Sequence, residues 1–390
     1  MNRFMLLILA VFCSLSASAI PIAGYVFHDK NSNGIKDTGE EGIKGVAISD
    51  QVDVVQTNAD GLYQLDAKGY GFVFMSVPDR YKASKSYYLK TSDATNGRLD
   101  FPLVKISIPA EFKFIHASDT HLSEASLNRT QRLKSLADSL KPEFVLVTGD
   151  LVKDALRVPE SEAVPLYEMY VRETKKFTMP VWSTAGNHEI FGIERQLSLV
   201  SKKNPLYGKK MFHHYLGPNY YSFNYGGIHF IALDDVDFED LWYYGHVDSV
   251  QVEWLKKDLA AIPATVPVIT FAHMPMFSGS MSLSNFQDDG PGRSLEKQNG
   301  KLHYRHVVSN AQELLQILQT HPYPISLAGH FHSRQVFNFE SAGQKTRFEQ
   351  AAAVVGDGGE GSIVMQSGIT LYTVKNGQIS EGKFIPLDKK

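Results

Sequence analysis

Carboxylates, imidazoles and one amide stand at five places in this chain where a cation could be held: Asp119 with His121, Asp150, Asn187 followed by His188 and Glu189, His273, and His330 with His332. Neutral imidazole, carboxylate and amide oxygen suit zinc, iron or manganese, and a carboxylate has two oxygens with which to bridge an ion pair. Two cations roughly 3.5 to 4 Å apart activate water and neutralise charge on both the attacking and leaving oxygens of an in-line displacement at phosphorus. The only cysteine is Cys13, so elsewhere in the chain the ligands must be oxygen or nitrogen. Taken singly, each residue has an ordinary reading: Asp119 as a turn residue, Asp150 as a turn or helix cap, Asn187 as a loop amide, His188 as a surface histidine. Their shared position behind β-prone runs argues against five coincidences.

Those runs are 112–115, 144–147, 181–184, 229–233, 268–271 and 325–327, with helical stretches expected over 131–140, 250–261 and 310–318. Alternation of strand, loop and helix implies an α/β domain. In such a sheet the loops at the carboxyl ends of the strands converge on one crevice, so residues far apart in sequence can meet. Residues 276–305, rich in Ser, Asn, Asp, Gly and Pro, are expected to form a long surface loop and one wall of that crevice. Residues 20–109 consist of short β-prone runs separated by Asn, Asp and Gly clusters, the pattern of a small all-β sandwich. The expected division is a signal peptide over 1–19, the β-sandwich over 20–109, a catalytic domain over 110–340, and a β-rich tail over 341–390 that completes it.

The five clusters also resemble the ordered signature of the calcineurin-like metallophosphoesterase family: D-x-H at Asp119 and His121, G-D at Gly149 and Asp150, G-N-H-E at 186–189, then His273, then G-H-x-H at 329–332. The resemblance covers about 112–334. It implies an α/β fold, a metallophosphoesterase β-sandwich flanked by helices, here preceded by the small all-β domain. It implies two divalent or trivalent transition ions (Mn, Fe or Zn), one held by Asp119, His121 and His332 and the other by Asn187, His273 and His330, with Asp150 bridging. A metal-bridging hydroxide would then attack a small phosphomonoester or phosphodiester while His188 protonates the departing oxygen. Glu189 would support the ligands from behind. Departures narrow the branch. Leu151 to Asp154 and Ala185 lack the arginines of protein Ser/Thr phosphatases, His121 stands where purple acid phosphatases have glycine, and about 55 residues after Arg334 are few for a nucleotidase substrate domain. The reading from another class is a non-catalytic surface binding module on the same scaffold, disfavoured because every ligand is present.

A second metal signal precedes this one. Asp29, Asn31, Asn33, Ile35 (through its carbonyl), Asp37 and Glu40 occupy positions 1, 3, 5, 7, 9 and 12 of a calcium loop with Gly34 at position 6. An Asn/Asp/Gly-rich turn without an ion is the plain alternative. The remaining histidines read as packing or surface residues: His116 and His229 in the core, His213, His214, His303, His306 and His321 at the surface. Arg293 and Arg305 read as solvated loop charge. With 39 basic and 42 acidic residues the formal charge is −3 and no single-sign run marks a nucleic-acid groove. Met1, Asn2 and Arg3, the apolar run behind them and Ser16 to Ala19 predict export, with Cys13 as a possible lipidation site, and no later segment is apolar enough to span a membrane. Protein partners are not readable from the sequence.

Overall fold

In the computed structural model, residues 19–283, 293–298, 300–341, 343–360 and 363–388 are described. The first eight strands are β1 (Ile20–His28), β2 (Ala47–Ser49), β3 (Val54–Gln56), β4 (Leu62–Ala67), β5 (Phe72–Met75), β6 (Tyr81–Ala83), β7 (Tyr88–Lys90) and β8 (Phe101–Lys105). They form two four-stranded sheets, ordered β4-β1-β8-β6 and β3-β2-β5-β7. In β1 the side of the pleat carrying Ile22 and Val26 is buried while Ala23 and Tyr25 are partly exposed, the period of two that one covered face demands.

The following region contains β9 (Glu111–Ala117), β10 (Phe144–Thr148), β11 (Val181–Thr184), β12 (Tyr221–Tyr225), β13 (Ile228–Ala232), the hairpin β14 (Val236–Glu239) and β15 (Trp242–Gly245), and β16 (Val268–Phe271). A second hairpin, β17 (Leu295–Gln298) and β18 (Lys301–Tyr304), precedes β19 (Ile325–Ala328), β20 (Gln335–Ser341) and β21 (Gln344–Gln350). The chain ends with β22 (Gly358–Glu360), β23 (Ile363–Met365), β24 (Gly368–Lys375), β25 (Gln378–Ile379) and β26 (Lys383–Pro386). Two six-stranded sheets result, β11-β10-β9-β24-β25 with β26 on β24, and β12-β13-β16-β19-β21-β20. Strands β9, β10 and β11 are parallel, as are β13, β16, β19 and β21.

Strand β10 is buried at every position, as a parallel strand covered on both faces should be. Its alternate residues serve two cores. Phe144 and Leu146 join Phe114, Phe223 and Phe230 between the sheets. Val145 and Val147 face Leu133, Ala137 and Tyr167 of the helices Leu127–Leu140 and Glu160–Thr174 outside. The inter-sheet layer is aromatic: Phe144 meets Phe230 edge-on at 5.2 Å, and Phe223 stacks on Phe230 at 4.9 Å and on Trp182 at 4.2 Å.

Helix Ser249–Ala260 ties the leading sandwich to this core. Trp254 is fully buried against Tyr220 and Phe74, and its indole N–H donates to Ser49 Oγ at 3.1 Å. Gln51 donates to Asn219 Oδ1 at 3.0 Å, and the Tyr220 hydroxyl donates to the Gln51 carbonyl at 2.5 Å. Among the described residues no helix is long and apolar enough to cross a membrane.

Three expectations need correction or placing. The stretch 276–305, expected as a plain loop, holds the short helix Ser280–Leu283 and the hairpin β17–β18, because Glu296 and Gln298 alternate inward with outward Lys297. A division at 340 would cut the β20–β21 hairpin, whose seven paired residues run from Gln335↔Gln350 to Ser341↔Gln344. The signal-like segment, including Cys13, lies outside the described residues apart from Ala19.

Candidate metal centre

Every one of the five clusters lies just beyond the carboxyl end of a parallel strand: β9 leads to Asp119 and His121, β10 to Asp150, β11 to Asn187 and His188, β16 to His273, and β19 to His330 and His332. Because β9–β11 and β16–β19 run in parallel within their sheets, these ends open on one crevice. Two groups of ligating atoms form there, Asp119, His121, Asp150 and His332 in one, Asp150, His273 and His330 in the other, each within 4.8 Å. Asp150 belongs to both. Asn187 joins the second group, its Oδ1 3.1 Å from His273 Nε2.

Lone-pair nitrogens face one another in a way that neutral rings alone would not favour. His121 Nε2 is 3.1 Å from His332 Nε2, and His273 Nε2 is 3.1 Å from His330 Nδ1. Each such pair must share either a proton or a cation. Among the described residues the Oδ1 atom of buried Asp119 has no hydrogen-bond partner, and it lies 3.3 Å from His332 Nε2. An oxygen and nitrogen donor set, an orphaned carboxylate oxygen and facing ring nitrogens together fit a pair of transition ions.

Backbone geometry is specialised where these side chains are presented. Asp119 (φ 52°), His121 (φ 37°), Asp150 (φ 48°), His330 (φ 75°) and His332 (φ 54°) all adopt the left-handed region, which costs a non-glycine residue on the order of 1 kcal/mol or more. The sheets compel these turns. At Gly149 (φ 77°) a Cβ would stand 2.5 Å from the His273 ring, so the chain crosses beneath that imidazole only as glycine.

A ring of buried acceptors orients the cluster. His273 Nδ1 donates to the Thr148 carbonyl at 2.9 Å, leaving Nε2 toward Asp150. Glu189 accepts from the amides of Leu151 (2.8 Å), Val152 (3.0 Å) and Gly186 (2.6 Å), binding the β10 and β11 loops together. Burial and Asp150 push Glu189 up to about 8, against the pull of the Val152 and Gly186 amides. Asp235, unremarked in the sequence, accepts from the backbone amides of His273 and Met274 at 3.2 and 3.0 Å. The His188 amide donates to Asp150 Oδ1 at 3.0 Å, while its Nδ1 donates to the Lys153 carbonyl at 2.7 Å and its Nε2 stops 3.9 Å from Asp150 Oδ2.

The charges are mutually adjusted. Burial opposes ionisation of Asp150, yet His273 and His188 hold its carboxyl well below the usual range. Desolvation lowers His273, but Asp150 and Asp119 raise it to about 10. His330 is held well below its ordinary value by burial and by His273 and His306.

Residues 112–334, more than half of the chain, match the calcineurin-like phosphoesterase family, and residues 30–106 match the domain described as the N terminal of calcineurin-like phosphoesterase. The chain belongs to the calcineurin-like phosphoesterase family. Among curated proteins it is similar to purple acid phosphatase 15 of Arabidopsis thaliana, 24% identical over 66% of this chain and 49% of that protein. It is likewise similar to purple acid phosphatase 23 of the same plant, 23% identical over 72% of this chain and 60% of that one. The chain thus spans about half the length of these relatives. Among solved structures it is similar to a dimetal phosphatase from Danio rerio, 14% identical over 71% of this chain and 99% of the other, with a TM-score of 0.44. The similarity to purple acid phosphatases extends beyond the branch that His121 favours: the match runs along the chain, while His121 itself sits among the candidate ligands.

Several histidines and one arginine of this calcineurin-like phosphoesterase depart from the surface roles expected of them. His306 is not a surface residue; its Nδ1 lies 2.9 Å from His330 Nε2, and burial with Arg305 beside it lowers its pKa to about 4. His321 is 5% exposed, and His213 packs on Phe72 and bonds Asn219. Arg305 is 0% exposed rather than solvated, its guanidinium over the rings of Trp242 and Tyr243. The only sequence signal for His306 was its position at the end of the wall-forming segment.

The twelve-residue loop lies apart, on the leading sandwich. Asp29 Oδ1 accepts from the Asn33 amide and Oδ2 from the Gly34 amide, Glu40 accepts from the amides of Lys30 and Asp37, and the side-chain amides of Asn31 and Asn33 both donate to Asp37 at 2.8 Å. Ile35 is exposed. Its flank is β1, a strand, as expected for a loop of this kind in a β-domain.

Proposed function

We propose that the chain hydrolyses small phosphate monoesters or diesters with a pair of Mn, Fe or Zn ions, outside the cytoplasm. The observation that carries this reading is the convergence of two ligand groups on a shared Asp150. Asp119, His121 and His332 would hold one ion, Asn187, His273 and His330 the other, and Asp150 both. When bound, such a pair supplies positive charge to the attacking and departing oxygens and makes a water nucleophilic near neutral pH. With Nδ1 committed to the Lys153 carbonyl, His188 can hold or release a proton only at Nε2, the nitrogen on the side of Asp150. That placement suits protonation of the leaving oxygen. Export is inferred from the first nineteen residues alone.

The test is hydrolysis of an aryl phosphate monoester and of the matching diester by metal-stripped protein, with and without manganese, beside Asp150→Asn. Manganese-restored turnover lost at least 100-fold in the variant supports the reading, on the order of a group that the reaction requires. Folded, metal-loaded protein inert toward both esters would move the reading to the non-catalytic binding module.

We also infer that the 29–40 loop takes calcium. Its donors are all oxygens, and Asp29 and Glu40 are buried carboxylates at its two ends. Asn31 and Asn33 need only turn their amides to present oxygen in place of nitrogen. Thermal unfolding of the manganese-loaded chain with and without added calcium reads this directly, a rise in melting temperature being expected.

A further inference from the structure

His306 follows directly on the wall segment, and this residue reaches the metal centre through another ring. His330 turns Nδ1 toward His273 Nε2 at 3.1 Å and Nε2 toward His306 Nδ1 at 2.9 Å. For His330 to present a lone pair at Nδ1, its proton must sit on Nε2, and His306 Nδ1 must then accept it. The backbone of Arg293 is the second partner of the His306 ring. A carbonyl there fixes the His306 proton on the far nitrogen and leaves Nδ1 free to accept. The chain of bonds therefore runs from the Arg293 backbone through His306 to His330.

Both ends of this chain are clamped to β15. The Arg293 guanidinium lies 4.2 Å from the Trp242 ring and bonds Glu296 at 2.6 Å. Arg305 lies 5.0 Å from Trp242 and 4.4 Å from Tyr243, with Glu296 Oε2 3.9 Å away. Its guanidinium is wholly buried, with the ring faces of Trp242 and Tyr243 and the Glu296 carboxylate against it. Tyr243 in turn edges both His306 and His330, at 6.1 and 6.5 Å.

We propose that His306 is a positioning residue that fixes the ring orientation and tautomer of His330, held in place by the Arg293 and Arg305 clamp on Trp242. It acts on one ion of the pair and not the other, since among the described residues it reaches His330 of the second group and not Asp119, His121 or His332 of the first. The inference rests on the two-ion reading above.

Calorimetric titration of manganese into the metal-stripped full chain tests it. Wild-type protein is expected to take up two equivalents. His306→Ala should bind the first with unchanged affinity and the second about 10- to 100-fold more weakly, the usual effect of losing a partner that orients a ligand. His306→Asn keeps an acceptor where Nδ1 stood and should recover most of that loss. If the alanine variant does not fold, His306→Gln, whose longer side chain displaces the acceptor, is compared with His306→Asn instead. Equal second-ion affinity in wild type and in the alanine or glutamine variant would overturn the positioning role. A wild-type chain that takes up fewer than two ions would overturn the two-ion reading itself, and the inference with it.

Discussion

At the scale of the residue, protons and cations compete for the same nitrogens. Without an ion His273 is raised to about 10 from 6.5 by Asp150 and Asp119, although burial opposes this, and His332 is raised as well by Asp119. In the metal-free chain His273 therefore stabilises the fold fully below its unfolded value of 6.5, and that contribution is lost as pH climbs through about 10. For the bound ion the sign is reversed. The ion held with Asn187 and His330 must displace the His273 proton, so its apparent affinity, read with manganese, should increase about tenfold per pH unit from pH 6 to pH 8. Calorimetry at those two values measures it, and a flat profile would mean that the ring is already neutral in the metal-free chain.

At the scale of the element, helix Ser249–Ala260 matters more than its modest length suggests, because one of its side chains is shared by two cores. Trp254 is buried between Phe74 of the leading sandwich and Tyr220 of the region that matches the phosphoesterase family. Trp254→Ala should cost about 3 to 5 kcal/mol. Urea unfolding read by fluorescence and by circular dichroism gives that figure. Loss of coincidence between the two probes would further show that the two regions had ceased to unfold together. The elements themselves were largely readable in advance. The run 144–147 is apolar throughout and 268–271 is broken only by Thr270, because both faces are covered, and the polar cluster behind each marks where the strand must end. The wall segment was not readable in the same way. The alternation of Glu296, Lys297 and Gln298 is too short to stand out, and the contacts of Arg293 and Arg305 with Trp242 reach about 50 to 60 residues back along the chain, a distance that no local pattern reports. The same holds for Asp235 and His306. Neither sits at a motif spacing, and each acquires its role only when β13 and β18 are brought beside β16 and β19.

At the scale of the whole molecule, the leading sandwich is joined to the phosphoesterase-family region by buried hydrogen bonds at Gln51, Ser49 and Tyr220, so a cation bound at the 29–40 loop should stabilise more than its own loop. At a calcium concentration 100-fold above the dissociation constant the gain is about 2.7 kcal/mol. It should appear as an upward shift of a single unfolding transition in differential scanning calorimetry. Two separated transitions, with only the earlier one moving, would show that the coupling is weak. The seven candidate ligands were legible because the chemistry restricts both their types and their order. The five left-handed backbone turns that present them were not, since aspartate and histidine adopt that conformation only where the sheet leaves no other path.

The antiparallel pairing of β24 with β9 bears on the timing of synthesis. Residues 111–117 lie in the middle of the first sheet, between β10 and a strand made of residues 368–375. While a ribosome is still assembling the intervening stretch, β9 has an open edge on that side, and the loop carrying Asp119 and His121 hangs from an unfinished sheet. Ions held by that loop would therefore be taken up only once residues 368–375 have been made and have closed the sheet.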